Sequence, residues 1–254
     1  MNIDLTGRRA LVTGASRGIG RAIAAALLDA GAAVAVHYRA ERKAAEDVVR
    51  GRQGSCALQA DLSDATAGDR LFARAVDALG GIDLLVNNAG VALPTPLEQP
   101  LDAWARAWGT TLSVNLDAAA VLSRAAILHA RAHPAQGGAR IVFIASRAAF
   151  RGDTPDFLAY AASKGGMVAL ARSIARGFGK EGVKAFVVAP GFTRTEMAGH
   201  FIRRYGEDYA LQDIALDRMT EPRDIAPLVV FLASGLADHC TGTSIDVNAA
   251  SYIR

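Results

Sequence analysis

The stretch RALVTGASRGIGRAIAAALLDAG, residues 9–31, decides the fold. It opens on a short apolar run of the kind shown by a strand buried on both faces, and closes on a segment with helical periodicity. Between them lies TGASRGIG, Thr13 to Gly20, with Gly14, Gly18 and Gly20 at spacings of four and two. Glycine tolerates positive φ and lets a ligand approach the backbone closely. The helix that follows points its free N–H groups and positive dipole end into the turn, which suits a diphosphate. The spacing is not the common GxGxxG, so the turn matches a dinucleotide fingerprint in kind only, and a glycine-rich turn without a ligand is the competing reading.

The same alternation repeats outward from this unit. Apolar runs at 32–38, 55–61, 82–88, 139–146, 183–190 and 243–248 read as six further strands, with helical segments between them. Strands alternating with helices of this length predict an α/β fold: a Rossmann-type, doubly wound, about seven-stranded parallel sheet with helices on both faces. No linker rich in Pro, Gly or Ser divides the chain, so residues 1–254 are expected to form a single dinucleotide-binding domain.

Composition narrows the class. The chain has 254 residues, 51% apolar and 21% charged, which fits a folded globular protein with a sizeable core. Its net charge of +3 comes from arginines spread along the whole length, so a solvated surface is expected and no nucleic-acid partner. Cys56 and Cys240 stand far apart, without CxxC spacing, which points to a reducing compartment. No run approaches eighteen uninterrupted apolar residues, and the first ten residues carry both acid and base. A soluble, cytoplasmic protein without a membrane span is therefore expected. His129 and His133 are four apart in HARAH, but no Glu lies between them, Pro134 follows at once and no third ligand is evident, so no metal is expected. Trp104 and Trp108 share a helix face and read as packing, and His37 is isolated.

Further along stands YAASK, residues 160–164, with Tyr160 and Lys164 one helical turn apart. Alone it is an ordinary i, i+4 pair. Together TGASRGIG, NNAG (87–90), SVN (113–115), Ser146 and YAASK resemble, in order and spacing, the motifs of the short-chain dehydrogenase/reductase family. PGFTRTEM (190–197) and the segment 223–247 look like its substrate-side and C-terminal parts, so the resemblance runs from about residue 5 to 248. It implies an oxidoreductase in which Tyr160 is the acid–base, Ser146 hydrogen-bonds the substrate oxygen, and Asn115 carries a water chain away from Lys164. Lys164 would hold the nicotinamide ribose and, as an ammonium near a phenol whose ordinary pKa is about 10, favour its ionisation.

The resemblance also implies the cofactor contacts. Gly14, Ser16, Arg17, Gly18, Ile19 and Gly20 would surround the diphosphate. Asp61 and Leu62 match the adenine position; Asn88, Ala89 and Gly90 match the loop beside the adenine ribose. Pro190, Gly191, Thr193 and Thr195 match the loop that meets the carboxamide, and Asn87 is expected to brace the sheet. The second strand, AAVAVHYRAER, places Tyr38 where NAD-specific sites put a carboxylate, with Arg39 next and Arg17 able to face the same spot. Two guanidiniums suit a 2′-phosphate, so NADP is expected over NAD, although Glu41 beyond the strand end is a displaced carboxylate.

Two departures stand out: NAAS, residues 248–251, replaces a usual glycine pair, and Ala145 replaces a common hydroxyl. Segment 192–220 resembles the substrate lid, with Phe192, Met197, Phe201, Ile202, Arg203 and Arg204 giving an apolar pocket and a basic rim. In pattern the chain is most similar to the 3-oxoacyl-[acyl-carrier-protein] reductase-like members, acting on a small-molecule carbonyl or alcohol as a homotetramer. A sugar or polyol dehydrogenase is the alternative on the same fold. A non-catalytic dinucleotide-binding sensor is the alternative of another class, and it would be expected to have lost Tyr or Lys.

Overall fold

The computed structural model describes residues 3–64, 66–134, 138–205 and 211–253. Seven strands form: β1 (Arg9–Val12), β2 (Ala33–Tyr38), β3 (Cys56–Gln59), β4 (Leu84–Asn87), β5 (Arg140–Ile144), β6 (Lys184–Pro190) and β7 (Ser244–Val247). Each falls inside one of the predicted runs. They pair in the order β3-β2-β1-β4-β5-β6-β7, every neighbour parallel. Several predicted runs overshoot at their C-terminal ends, where Thr13, Gly14, Ala145 and Ser146 leave the sheet. That edge is where the site forms.

The helices are α1 (Gly18–Asp29), α2 (Arg42–Val49), α3 (Ala67–Leu79), α4 (Leu101–Leu112), α5 (Ala118–Ala132), α6 (Ala148–Arg151), α7 (Leu158–Phe178), α8 (Glu196–Tyr205) and α9 (Pro222–Ala233). Alternation along the strands divides the core between two layers. Leu11, Leu85, Ile141, Phe143 and Val187 pack against α3, α5 and α7. Val12, Val34, Val86, Val142 and Val188 pack against α1, α2 and α9. The five inner strands, β1, β2, β4, β5 and β6, are thus buried on both faces, as their apolar character requires, while the edge strands β3 and β7 are only partly covered.

The chain adds β2 and β3 on one side of β1, then returns to add β4 to β7 on the other. Such a reversal opens a crevice at the strand C-termini, between β1 and β4, where doubly wound sheets hold ligands. Leu101–Ala132 forms one continuous helix, through α4, a π-helical turn at Ser113–Asp117, and α5. It is long and apolar enough to cross a membrane, yet half of its most apolar window is buried inside the protein. Here it is a core helix. In the NAAS segment Ala249 and Ala250 adopt φ of 52° and 58°. Glycine would take that left-handed backbone freely; alanine pays about 1–2 kcal/mol at each position.

Candidate active site

The glycine turn is shaped by contacts that leave no room for side chains. Gly14 has φ +62°, and a Cβ on it would lie 2.9 Å from Ala89 Cα. A Cβ on Gly20 would collide with Gly14 O and Asn88 Nδ2. Thr13 Oγ1 laces the ends of β1 and β4 together. It accepts the N–H groups of Asn88 (2.9 Å) and Ala89 (3.0 Å) and donates to Val86 O (3.2 Å). Asn88 Nδ2 donates to Thr13 O (2.8 Å) and Gly14 O (3.1 Å), so its amide nitrogen is turned into the protein.

His37, isolated in the sequence, proves to be part of this scaffold. Its Nδ1 accepts the Gly14 N–H (3.0 Å), and its Nε2 lies 3.2 Å from Ala60 O. Both bonds together require the neutral ring with hydrogen on Nε2. Burial pulls its pKa from 6.5 down to about 4, against the carbonyl of Ala60 and the charge of Asp61. The folded protein therefore resists protonation that the unfolded chain accepts below pH 6.5. Stability supplied by neutral His37 is complete above pH 6.5 and is lost as pH falls through 4, by roughly 3 kcal/mol in all. Denaturant unfolding of the wild type should show this acid loss between pH 6.5 and 4, and His37→Gln should lack it. Equal acid slopes in the two proteins would refute the assignment.

The first turn of α1 is open to an anion. Arg17 at its N-cap is extended (φ −151°, ψ 173°), makes no side-chain cap, and no acid sits in the first turn. The leading amides are thus free to meet a diphosphate, so these residues fit a dinucleotide. Ser16 is buried beside them, and Ile19 packs its side chain into the α1 layer. Tyr38 ends β2 buried, with Arg39 exposed next to it. Arg17 has a partner that the sequence did not reveal. Its guanidinium pairs with Glu196 at the start of α8, a carboxylate 179 residues away whose approach only the fold reveals. Asp61 is held below its usual pKa by the Ser63 N–H and hydroxyl, with Arg39 adding to the effect, and Leu62 beside it is buried.

On the other side of the crevice, Pro190 ends β6 and Gly191 donates to Val247 O (3.0 Å). A Cβ on Gly191 would strike the backbone of Asn248. Thr193 is buried and donates to Gly191 O (3.1 Å). Thr195 packs against Gly18 and accepts the Ala198 N–H (3.4 Å), so α8 begins on top of the glycine turn. Of the predicted pocket, Met197 is half exposed and Phe192 lies beneath Arg147. Residues 206–210 and the side chains of Phe201, Arg203 and Arg204 lie outside the described part.

Tyr160 and Lys164 share one face of α7. Lys164 is buried, its Nζ donates to Ile144 O (2.8 Å), and it sits 5.7 Å from the centre of the Tyr160 ring. Burial draws the lysine down to about 8 and pushes the phenol up to about 12. Asp153 adds to the phenol's rise, while the Ser146 hydroxyl opposes it by hydrogen bonding. The expected lowering of Tyr160 by Lys164 is thus not what prevails here. Desolvation of the phenolate sets the direction. Ser146 follows β5 and accepts the Ala148 N–H (3.1 Å), which leaves its own hydrogen for a partner.

Asn115 sits in the π-helical turn, a feature common at functional sites, and is wholly buried. Its Oδ1 accepts the Val91 N–H (2.8 Å); its Nδ2 donates to Val91 O and Ser163 Oγ (2.9 Å each). The side chain clasps the β4 loop to α7, next to Lys164. Gly90 keeps this corner open, since a Cβ there would lie 3.3 Å from Asn115 Oδ1 and 3.5 Å from Lys164 Nζ. Asn87 does brace the layers through Ser123 (3.2 Å). His129 and His133 stack at 4.4 Å, and His129 accepts the Ile82 N–H (3.4 Å). Trp104 and Trp108 stack at 5.0 Å, and Trp104 Nε1 donates to Thr95 O (3.2 Å), in keeping with a packing role.

A doubly wound sheet with an open glycine turn at its reversal point, and Ser146, Tyr160 and Lys164 on the same edge, defines the class: a dinucleotide-dependent oxidoreductase. The comparisons agree. A family model described as "Enoyl-(Acyl carrier protein) reductase" matches residues 14–249. The 3-oxoacyl-[acyl-carrier-protein] reductase FabG of Vibrio harveyi is 33% identical over 254 residues, covering 99% of this chain and 100% of its own. A short-chain dehydrogenase from Burkholderia cenocepacia, solved in complex with NADP, superposes with a TM-score of 0.86 at 35% identity, covering 97% and 98% of the two chains. A short-chain dehydrogenase/reductase named glucose/ribitol dehydrogenase, from Brucella melitensis, superposes at 0.89 with 30% identity over the whole of both chains. The chain belongs to the short-chain dehydrogenase/reductase family.

Proposed function

We propose that this enzyme reduces the carbonyl of a 3-oxoacyl thioester with NADPH. The observation that carries the reading is the Tyr160 hydroxyl hydrogen-bonded with Ser146, with Lys164 one turn on, on the sheet edge that also holds the glycine turn. The cofactor, when bound, supplies the hydride to the carbonyl carbon. Tyr160 gives its proton to the oxygen, Ser146 donates a hydrogen bond to that oxygen, and Lys164 would hold the nicotinamide ribose. Asn115 keeps Lys164 in register and leads its water chain outward. The main-chain groups of Gly14 to Gly20 and of Asn88 to Gly90 hold the diphosphate and adenine ribose. Asp61 and Leu62 meet the adenine, and Pro190, Gly191, Thr193 and Thr195 the carboxamide. Residues 192–220 act as the lid of a single domain; the seat of Thr195 on Gly18 supports this.

The Vibrio relative supports the thioester, and the Burkholderia complex supports NADP. Tyr38 in the carboxylate's place and an exposed Arg39 beside it support the same cofactor. Arg39→Ala is expected to weaken NADPH binding by about 1–3 kcal/mol, as for a lost hydrogen bond to a charged group, while leaving NADH nearly untouched. Arg17→Ala follows in kind, once the pair with Glu196 opens. Tyr38→Asp should shift preference towards NADH by repelling the phosphate. Fluorescence titration with both nucleotides decides this, and a wild-type preference for NADH would overturn it.

The second reading, a sugar or polyol dehydrogenase, is favoured by the full-length likeness to the Brucella protein. Steady-state rates of the purified enzyme with acetoacetyl and longer 3-oxoacyl thioesters, against sugars, polyols and simple ketones, separate the two. A best rate on a polyol would displace the thioester reading, and no turnover on any of them would leave a dinucleotide sensor. We place the enzyme in the cytoplasm as a homotetramer, with α9 and β7 as the self-complementary surface. The exposed Phe231 and Leu236 near that face support such an assembly.

A further inference from the structure

We propose that Arg147 and Arg151 form a subsite for an oxyanion carried by the substrate, and that Asp213 of the lid occupies this subsite when no substrate is there. The proposal rests on the carbonyl-reductase reading and narrows its substrate class.

Arg147 follows Ser146 directly, and its backbone is pinned by an N–H donated to Pro190 O (2.9 Å). Its side chain is only 10% exposed and stacks over the Phe192 ring at 5.5 Å. Arg151 lies one helical turn on, at the end of α6. Both guanidiniums donate through Nη1 to the same oxygen, Asp213 Oδ2, at 2.5 and 3.1 Å. Arg147 is thus tied to both sides of the crevice, by its place next to Ser146 in the chain and by its contacts with Pro190 and Phe192, and Asp153 lies within reach of the charges of both arginines.

A guanidinium this buried requires an oxyanion partner. Among the described residues the one carboxylate hydrogen-bonded to Arg147 comes from segment 192–220, which the proposed function takes as the substrate lid. Opening it removes that partner and leaves two convergent forks beside Ser146. A fork pair of this kind matches a carboxylate or a phosphate and is poorly served by a neutral group. Two sources share that chemistry: the carboxylate of a free oxo acid, and a phosphate on the coenzyme A arm of a thioester. A plain lid tie would use the same ion pair but would treat all substrates alike.

The test measures NADPH-dependent reduction of acetoacetate, acetoacetyl-coenzyme A and the uncharged acetoacetyl-N-acetylcysteamine by the full-length enzyme. Arg147→Met and the half-exposed Arg151→Gln are each expected to lower kcat/KM for an anionic substrate about 10- to 100-fold relative to the uncharged thioester, chiefly through KM, as for loss of a charge-assisted hydrogen bond. Whichever anionic substrate responds names the source. Asp213→Asn should lower KM for that substrate several-fold, because its internal competitor is weakened. Equal changes for all three substrates, or none for any, would overturn the subsite. If the wild type reduces none of them, the carbonyl-reductase reading fails separately, and calorimetry of acetoacetate binding to the NADP-loaded protein still reads the subsite. Binding lost in Arg147→Met supports it, and binding unaltered by the change refutes it.

Discussion

Tyr160→Phe is expected to bind NADPH within a few-fold of the wild type and to turn over about 10²–10⁴ times more slowly, the range for loss of a general acid. Phenylalanine keeps the ring that packs on α7 beside Lys164 and removes only the hydroxyl. What disappears is the proton at the carbonyl oxygen, and Ser146 cannot supply it. The direction of the phenol's pKa sharpens the expectation. Pushed up to about 12, Tyr160 enters reduction already protonated, so wild-type reduction should hold a plateau from neutral into mildly alkaline pH. Oxidation of the alcohol needs the phenolate and should rise with pH over the same range. Turnover of Tyr160→Phe within a few-fold of wild type, at saturating NADPH, would remove Tyr160 from the chemistry.

The architecture was legible because its causes are local. Short apolar runs are what strands buried in a parallel sheet look like, and each of the seven became a strand, the edge strands β3 and β7 from the runs most mixed with polar residues. Gly14, Gly18 and Gly20 marked the turn: Gly14 and Gly20 leave no space for a Cβ against Ala89 and Asn88, and Gly18 takes the left-handed backbone at φ +56°. What stayed hidden depends on pairs far apart in the chain. His37 gave no signal, because its role rests on Gly14 and Ala60 meeting over the β2 end. The NNAG motif placed Asn88 beside the cofactor, but only the fold shows its side chain bound to Thr13 O and Gly14 O. Arg17 gave no sign of its pair with Glu196, which stands 179 residues away in the chain. Tyr160 shows the limit most clearly: spacing supplies the lysine, while burial, which sets the sign of the shift, belongs to the packed structure.

Lys164→Met should cost even more than Tyr160→Phe in kcat/KM, about 10³-fold or beyond, because it removes a ribose contact and the positive charge beside the phenol together. Unlike Tyr160→Phe, it should also weaken NADPH binding measurably. The same substitution carries a stability signature that separates a strained functional lysine from a merely structural one. Burial lowers Lys164 from 10.5 to about 8, so the folded protein releases its proton before the unfolded chain does. Between pH 8 and 10.5 the unfolded state binds more protons, and wild-type stability should therefore rise with pH across that window. The rise should approach roughly 3 kcal/mol at about 1.4 kcal/mol per pH unit; it is lost as pH falls from 10.5 to 8 and levels off below 8, where the amine is charged in both states. Methionine cannot titrate, so the variant's stability should lack this component. The loss of the hydrogen bond to Ile144 O shifts its whole curve by a constant and leaves the slope untouched. Urea unfolding of both proteins at pH 7.5 and 10 measures the difference directly. Parallel curves would mean that Lys164 is not carried at a cost by the fold, and the catalytic reading of YAASK would then rest on kinetics alone.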